Sequence, residues 1–200
     1  MVADSAVALL RAYDHERIDD AQLDEVLGLP ESVWIPSDEH GRLQTRHPGE
    51  SIVNLSTPYA VCRRLFHALQ LGEDDLFVDL GCGDGRVLLY GAAVTSAQFR
   101  GIELVTERAH AAQTRVRKLA FDRVTIVEGN VLEQDFGEAD VFYTHRPFSV
   151  ETEAEVLARL HNEARRRSIC VATHRLQPSL FDATLFRREL CGALVIYRSA

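Results

Sequence analysis

Short apolar runs alternate along this chain with segments whose apolar residues recur every three or four positions. The runs Leu76 to Leu80, Gln98 to Glu103, Arg123 to Val127, Ala139 to Thr144 and Ser168 to Thr173 have strand length. Runs with little polar alternation fit strands covered on both faces. Between them the spacing turns helical. Val61, Cys62, Leu65, Phe66 and Leu69 form one face, and Ala109, Ala112, Val116, Leu119 and Ala120 form another. Gly85 to Val94 and a segment through Leu157 and Leu160 complete the set. Alternating strands and helices predict a parallel sheet with helical layers. Thr184 to Leu190 and Ala193 to Arg198, joined through Cys191-Gly192, then predict a closing antiparallel hairpin. The expected fold class is α/β, with a seven-stranded, mostly parallel sheet.

The first fifty residues read differently. Asp4 or Ser5 can cap a helix carrying Val7, Leu10 and Tyr13. A second helix is expected from Asp19 or Asp20 through Leu23, Val26 and Leu27, stopping at Gly28 before Pro30. Glu31 to Ser56 holds Pro36, Gly41, Pro48 and Gly49 with little periodicity, and reads as a lid-like loop. Trp34 can anchor this segment or serve as a substrate platform. The division expected is a small helical N-terminal appendage over 1–50 and a main domain over 51–200. Thr57-Pro58 reads as the start of the next helix, with the threonine as cap.

Composition narrows the classes. Of 200 residues 46% are hydrophobic, which suits one α/β domain, and no apolar stretch approaches a membrane span. The N-terminus lacks the pattern of a signal peptide. Cys62, Cys82, Cys170 and Cys191 are scattered without metal-type pairing, so no metal centre is expected and a reducing cytoplasm is the simplest setting. The net charge of −8 argues against general nucleic-acid binding and favours a basic or neutral partner.

The chemistry concentrates in Asp79-Leu80-Gly81-Cys82-Gly83-Asp84-Gly85-Arg86-Val87. A strand ends on an acidic residue, passes three alternating glycines and opens into a helix. Glycines permit a sharp turn close to a ligand, and the helix start offers unpaired N–H groups. A dinucleotide fingerprint needs its third glycine one residue later, where Arg86 stands. The acidic-x-Gly-x-Gly-x-Gly pattern instead resembles motif I of the class I S-adenosylmethionine (SAM)-dependent methyltransferases. Thr57-Pro58 before it and Gly101-Ile102-Glu103 after it look most like two protein-lysine methyltransferase groups: the histone methyltransferases of the Dot1 type, and the small relatives acting on the ATP synthase c-subunit. The resemblance covers roughly residues 50 to 200 and implies a Rossmann-like sandwich that binds SAM.

It also implies roles. Asp79, Gly81, Cys82, Gly83 and Gly85 would lie beneath the amino-acid half of SAM, with Thr57 and Tyr59 touching its carboxylate or amino group. Glu103, at a strand end, can accept ribose hydroxyls or simply border a helix start. Asn130 with Val131 would meet the adenine, or Asn130 is a plain turn residue. Thr144-His145-Arg146-Pro147-Phe148 keeps the Pro-aromatic end of a motif that some nitrogen methyltransferases carry, while His145 and Arg146 replace its leading residues. His145 can take a proton from a substrate ammonium or hydrogen-bond backbone. His174 and Arg175 can border the site. The function implied is nitrogen-directed methyl transfer by direct displacement, with protein lysine among the acceptors and a basic protein as partner. A SAM-binding module without catalysis and a nicotinamide-dependent oxidoreductase are the alternatives.

Overall fold

The computed structural model describes residues 2–13, 18–30, 37–47, 55–174 and 181–200. Seven helices and seven strands occur in these segments: α1 (Val2–Arg11), α2 (Asp20–Leu27), α3 (Ser37–Arg46), α4 (Tyr59–Leu69), β1 (Leu76–Leu80), α5 (Arg86–Val94), β2 (Gln98–Glu103), α6 (Thr106–Lys118), β3 (Val124–Glu128), β4 (Val141–Thr144), α7 (Val150–Arg166), β5 (Cys170–His174), β6 (Phe186–Cys191) and β7 (Leu194–Ser199). Trp34 and Arg175 lie outside the described residues.

All strands join one sheet in the order β3-β2-β1-β4-β5-β7-β6. The first five are mutually parallel, and β7 runs antiparallel to both β5 and β6. Side chains alternate across the sheet and feed two cores. Phe77, Phe99, Val141, Tyr143, Cys170, Ala172, Leu194 and Ile196 face one side, packed with residues of α1, α2, α4, α5 and α6. Val78, Leu80, Ile102, Phe142, Val171, Val195 and Tyr197 face the other, under Val156, Leu157 and Leu160 of α7. Covering both faces explains why the strands read as unbroken apolar runs.

Helix α5 shows why its sequence is small and apolar. Eight of its residues are buried, and a Cβ at Gly91 would sit 2.4 Å from the Phe66 ring and 2.5 Å from the Phe99 ring. Only glycine lets α4 and β2 close on it. The N-terminal helices share this core: Ala6, Leu10, Leu23 and Leu27 are buried in the same cluster as α4 and α5.

Three expectations about element ends need correction. Within the segment read as a loop, Ser37–Arg46 is a helix. Leu43 packs on Val105, and Arg46 pairs with Glu107 at 2.6 Å. Thr57 does not cap α4; Pro58 holds the cap position, with no side-chain hydrogen bond. Helix α1 begins at Val2, before Asp4 and Ser5. The reading of α2 agrees with the structure: Asp19 caps it in a reciprocal box with Gln22, and Gly28 ends it in the left-handed region.

Candidate active site

The strand order reverses direction between β1 and β4, and a crevice opens there beyond the C-terminal strand ends, the usual ligand position in open α/β sheets. The glycine turn forms its floor. Gly81, Gly83 and Gly85 have φ of 90°, 54° and 86°, so the chain reverses through conformations that side chains resist. The Gly81 and Cys82 N–H groups both donate to the Ile102 carbonyl, at 2.9 and 3.0 Å. A Cβ at Gly81 would fall 2.3 Å from the Pro147 Cβ, so the bare turn is what admits the loop after β4.

Two carboxylates occupy adjacent strand ends. Asp79, closing β1, is 3% exposed and receives no hydrogen bond from a described residue. Burial, and then the negative charge of Glu103, hold its carboxyl well above the usual range. Glu103, closing β2, is fixed from both sides. The Gly83 N–H donates to its Oε2 at 2.8 Å and the Val105 N–H to its Oε1 at 2.9 Å. Burial raises the Glu103 carboxyl, opposed by these N–H groups and by Arg108. Each oxygen keeps a further lone pair for a ligand.

The cavity encloses about 990 Å³ of empty space, its open mouth included. Ile102, Val105 and Val131 give it an apolar wall, with Gly129 and Asn130 beyond. The Asn130 Oδ1 accepts the Leu132 N–H at 2.9 Å, which leaves its amide nitrogen as the available donor. The opposite end holds Pro147, Phe148, Tyr143 and His145. There the Thr57 Oγ1 lies 2.8 Å from the Tyr143 hydroxyl and 3.2 Å from the His145 Nδ1. The imidazole also stacks at a tilt on His174, with ring centroids 4.3 Å apart.

Of the predicted residues, Thr57, Asp79, Gly81, Cys82, Gly83, Glu103, Asn130, Val131 and His145 line this one cavity. Tyr59 and Gly85 do not. Tyr59 is fully buried, and its hydroxyl donates to the Asp24 Oδ1 at 2.9 Å. Gly85 caps α5. The sequence pattern assigns no site role to Leu29, Pro30, Arg86 or Arg108, which also line the cavity. Arg86 gives the one usable signal: a charge at the head of the otherwise apolar run Arg86-Val87-Leu88-Leu89. It is 8% exposed and donates to Asp24, to Asp20 at 3.4 Å and to the Thr57 carbonyl at 3.3 Å. Arg115 of α6 is also largely buried and pairs with Asp84 at 3.0 Å.

This sheet order with its crevice is that of the class I methyltransferase fold, and solved structures share it. An RNA methyltransferase from Salinibacter ruber, solved with S-adenosyl-L-homocysteine, superposes with a TM-score of 0.55 at 23% identity, over 72% of this chain and 92% of that one. A precorrin-6y C5,15-methyltransferase from Geobacter metallireducens GS-15 gives a TM-score of 0.60 at 15% identity, over 73% and 90%. Residues 40–162 match the sequence model of the family described as histone methylation protein DOT1, and the chain belongs to that family. A protein-lysine N-methyltransferase of Saccharolobus islandicus (strain REY15A) is 37% identical over 87 residues, which span 42% of this chain and 54% of that protein. The chain thus matches about half the length of that relative.

Proposed function

We propose that this protein is a SAM-dependent methyltransferase acting on an amine nitrogen, with a protein lysine as the acceptor class. The observation that carries the reading is the pair of buried carboxylates on one cavity wall, Asp79 without a donor among the described residues and Glu103 pre-aligned. A buried carboxylate lacking a donor fits a ligand ammonium. The spare lone pairs of Glu103 fit a pair of ribose hydroxyls, and the amide N–H donors of Asn130 fit a ring nitrogen of a flat base held against Val131. When bound, SAM supplies an electrophilic methyl group. The chain's part is to orient the acceptor and exclude water. Pro147 and Phe148 make the acceptor end apolar, which disfavours an ammonium and favours the free amine that can attack. His145 is the proposed proton acceptor there, oriented by Thr57. The protein-lysine N-methyltransferase among the relatives supports the acceptor class, as does the net charge of −8.

Thermal melts with saturating S-adenosylhomocysteine or NAD test the cofactor. A ligand at about a hundred times its Kd adds about 2.7 kcal/mol to stability. S-adenosylhomocysteine is expected to raise the Tm of the wild type and not of Asp79→Ala, while NAD leaves both unmoved; a shift with NAD alone overturns the reading. With labelled SAM and lysine-rich protein acceptors, His145→Ala is expected to lower kcat by about 10²-fold. Binding without transfer to any protein would reduce the protein to a SAM-binding module.

A further inference from the structure

The cofactor cavity is not closed by the sheet and the glycine turn alone: Leu29 and Pro30, which follow α2, form part of its wall. Two arginines fasten this segment. Arg86 begins α5 directly after the turn, and its guanidinium binds Asp24 and Asp20 of α2, lies 4.8 Å over the Tyr59 ring, and reaches the Thr57 carbonyl. Arg115 reaches across from α6. Its Nε donates to the Gly28 carbonyl at 2.7 Å, and its Nη1 donates to the Asp84 side chain at 3.0 Å and carbonyl at 3.3 Å. Asp84 belongs to the glycine turn, and Gly28 immediately precedes Leu29. Tyr59 closes the circuit, with its hydroxyl on Asp24 and its N–H on Asp20 at 3.1 Å.

We infer that Arg86 and Arg115 are positioning residues that make the N-terminal segment 19–30 a working wall of the cofactor site. Through Thr57, Arg86 also sets the acceptor end, because the Thr57 hydroxyl holds Tyr143 and His145. This rests on the cofactor reading above. The planar fork of an arginine meets several acceptors at fixed angles, which a lysine point charge does not. Displacing Arg86 therefore moves the cofactor floor, the α2 wall and Thr57 together.

The test separates positioning from folding. Replacing a buried ion pair by apolar residues of similar bulk commonly preserves stability. The double variant Arg86→Met/Asp24→Asn removes both charges and keeps an acceptor for the Tyr59 hydroxyl. It is therefore expected to melt close to the wild type, yet to bind S-adenosylhomocysteine about tenfold more weakly in calorimetry. Arg86→Lys, which keeps the charge, should recover only part of that loss. On the unmodified protein, hydrogen exchange should slow in residues 20–30 when S-adenosylhomocysteine is added. Wild-type affinity in the double variant, or unchanged exchange in residues 20–30 on a protein that does bind S-adenosylhomocysteine, overturns the inference alone. No binding by the wild type overturns the cofactor reading, and the inference falls with it.

Discussion

Asp79 is a buried carboxylate with no donor among the described residues, and that placement weighs on the fold. A carboxyl whose folded pKa lies above its unfolded value holds its proton more tightly in the folded chain. Its ionisation therefore weakens the fold as pH rises from the ordinary carboxylate range through the raised value. Asp79→Asn should accordingly stabilise the ligand-free protein at about pH 8, with the gain fading towards about pH 4. Each 1 kcal/mol of gain would appear as about 2–4 °C in Tm for a chain of this length. The same variant should lose the stabilisation by S-adenosylhomocysteine. Gly81 poses the opposite case, since its φ of 90° and the nearby Pro147 leave no room for a side chain. Gly81→Ala is expected to cost at least about 1–3 kcal/mol in urea denaturation and to abolish ligand binding. Both residues were legible in the sequence because their chemistry is local, a strand end and a turn. Arg86 and Tyr59 were not. Their partners Asp24 and Asp20 lie dozens of positions away, and nothing in local spacing connects them.

The same contrast runs through the elements. The strands and most helices could be read because each buries a face against the sheet, and burial imposes its period on the sequence. Helix α3 could not, since Gly41 interrupts a polar segment in which, among the residues whose burial is described, Leu43 alone reaches a core. The Thr57-Pro58 pair suggested a capping threonine, but tertiary partners claimed the hydroxyl: it lies 2.8 Å from the Tyr143 hydroxyl and 3.2 Å from the His145 Nδ1. A side-chain cap that the structure does form can be tested. The Ser149 Oγ accepts the Thr152 N–H at 3.1 Å at the head of α7, and Thr152 borders the cavity. Ser149→Ala should lower stability by about 1 kcal/mol, with Ser149→Asp close to the wild type, as read from urea midpoints.

On the scale of the whole molecule, the sheet has two edges, β3 and β6. Strand β6 presents Arg187, Arg188 and Glu189 to solvent, charges that discourage pairing with another chain. The hairpin it belongs to also covers β5, whose residues are all buried. A chain cut after Asp182 would bare that strand along its length. It is expected to be insoluble on expression, whereas Arg187→Ala should alter solubility little. The hairpin was legible from its glycine turn and two β-rich runs. Its place in the sheet was not, because β7 inserts between β5 and β6 and no local pattern records that neighbour. Among the described residues no helix is long and apolar enough to cross a membrane.

Glu103 carries one more implication, and it concerns time rather than affinity. Its two oxygens are held by the backbone itself, one by the glycine turn and one by the start of α6, so in the proposed function no ligand is needed to orient them. A receptor group that is set in advance has little left to organise during an encounter. Capture at this wall should be governed by diffusion into the crevice. Among wall variants that leave Glu103 intact, differences in strength should then show in how long the complex lasts.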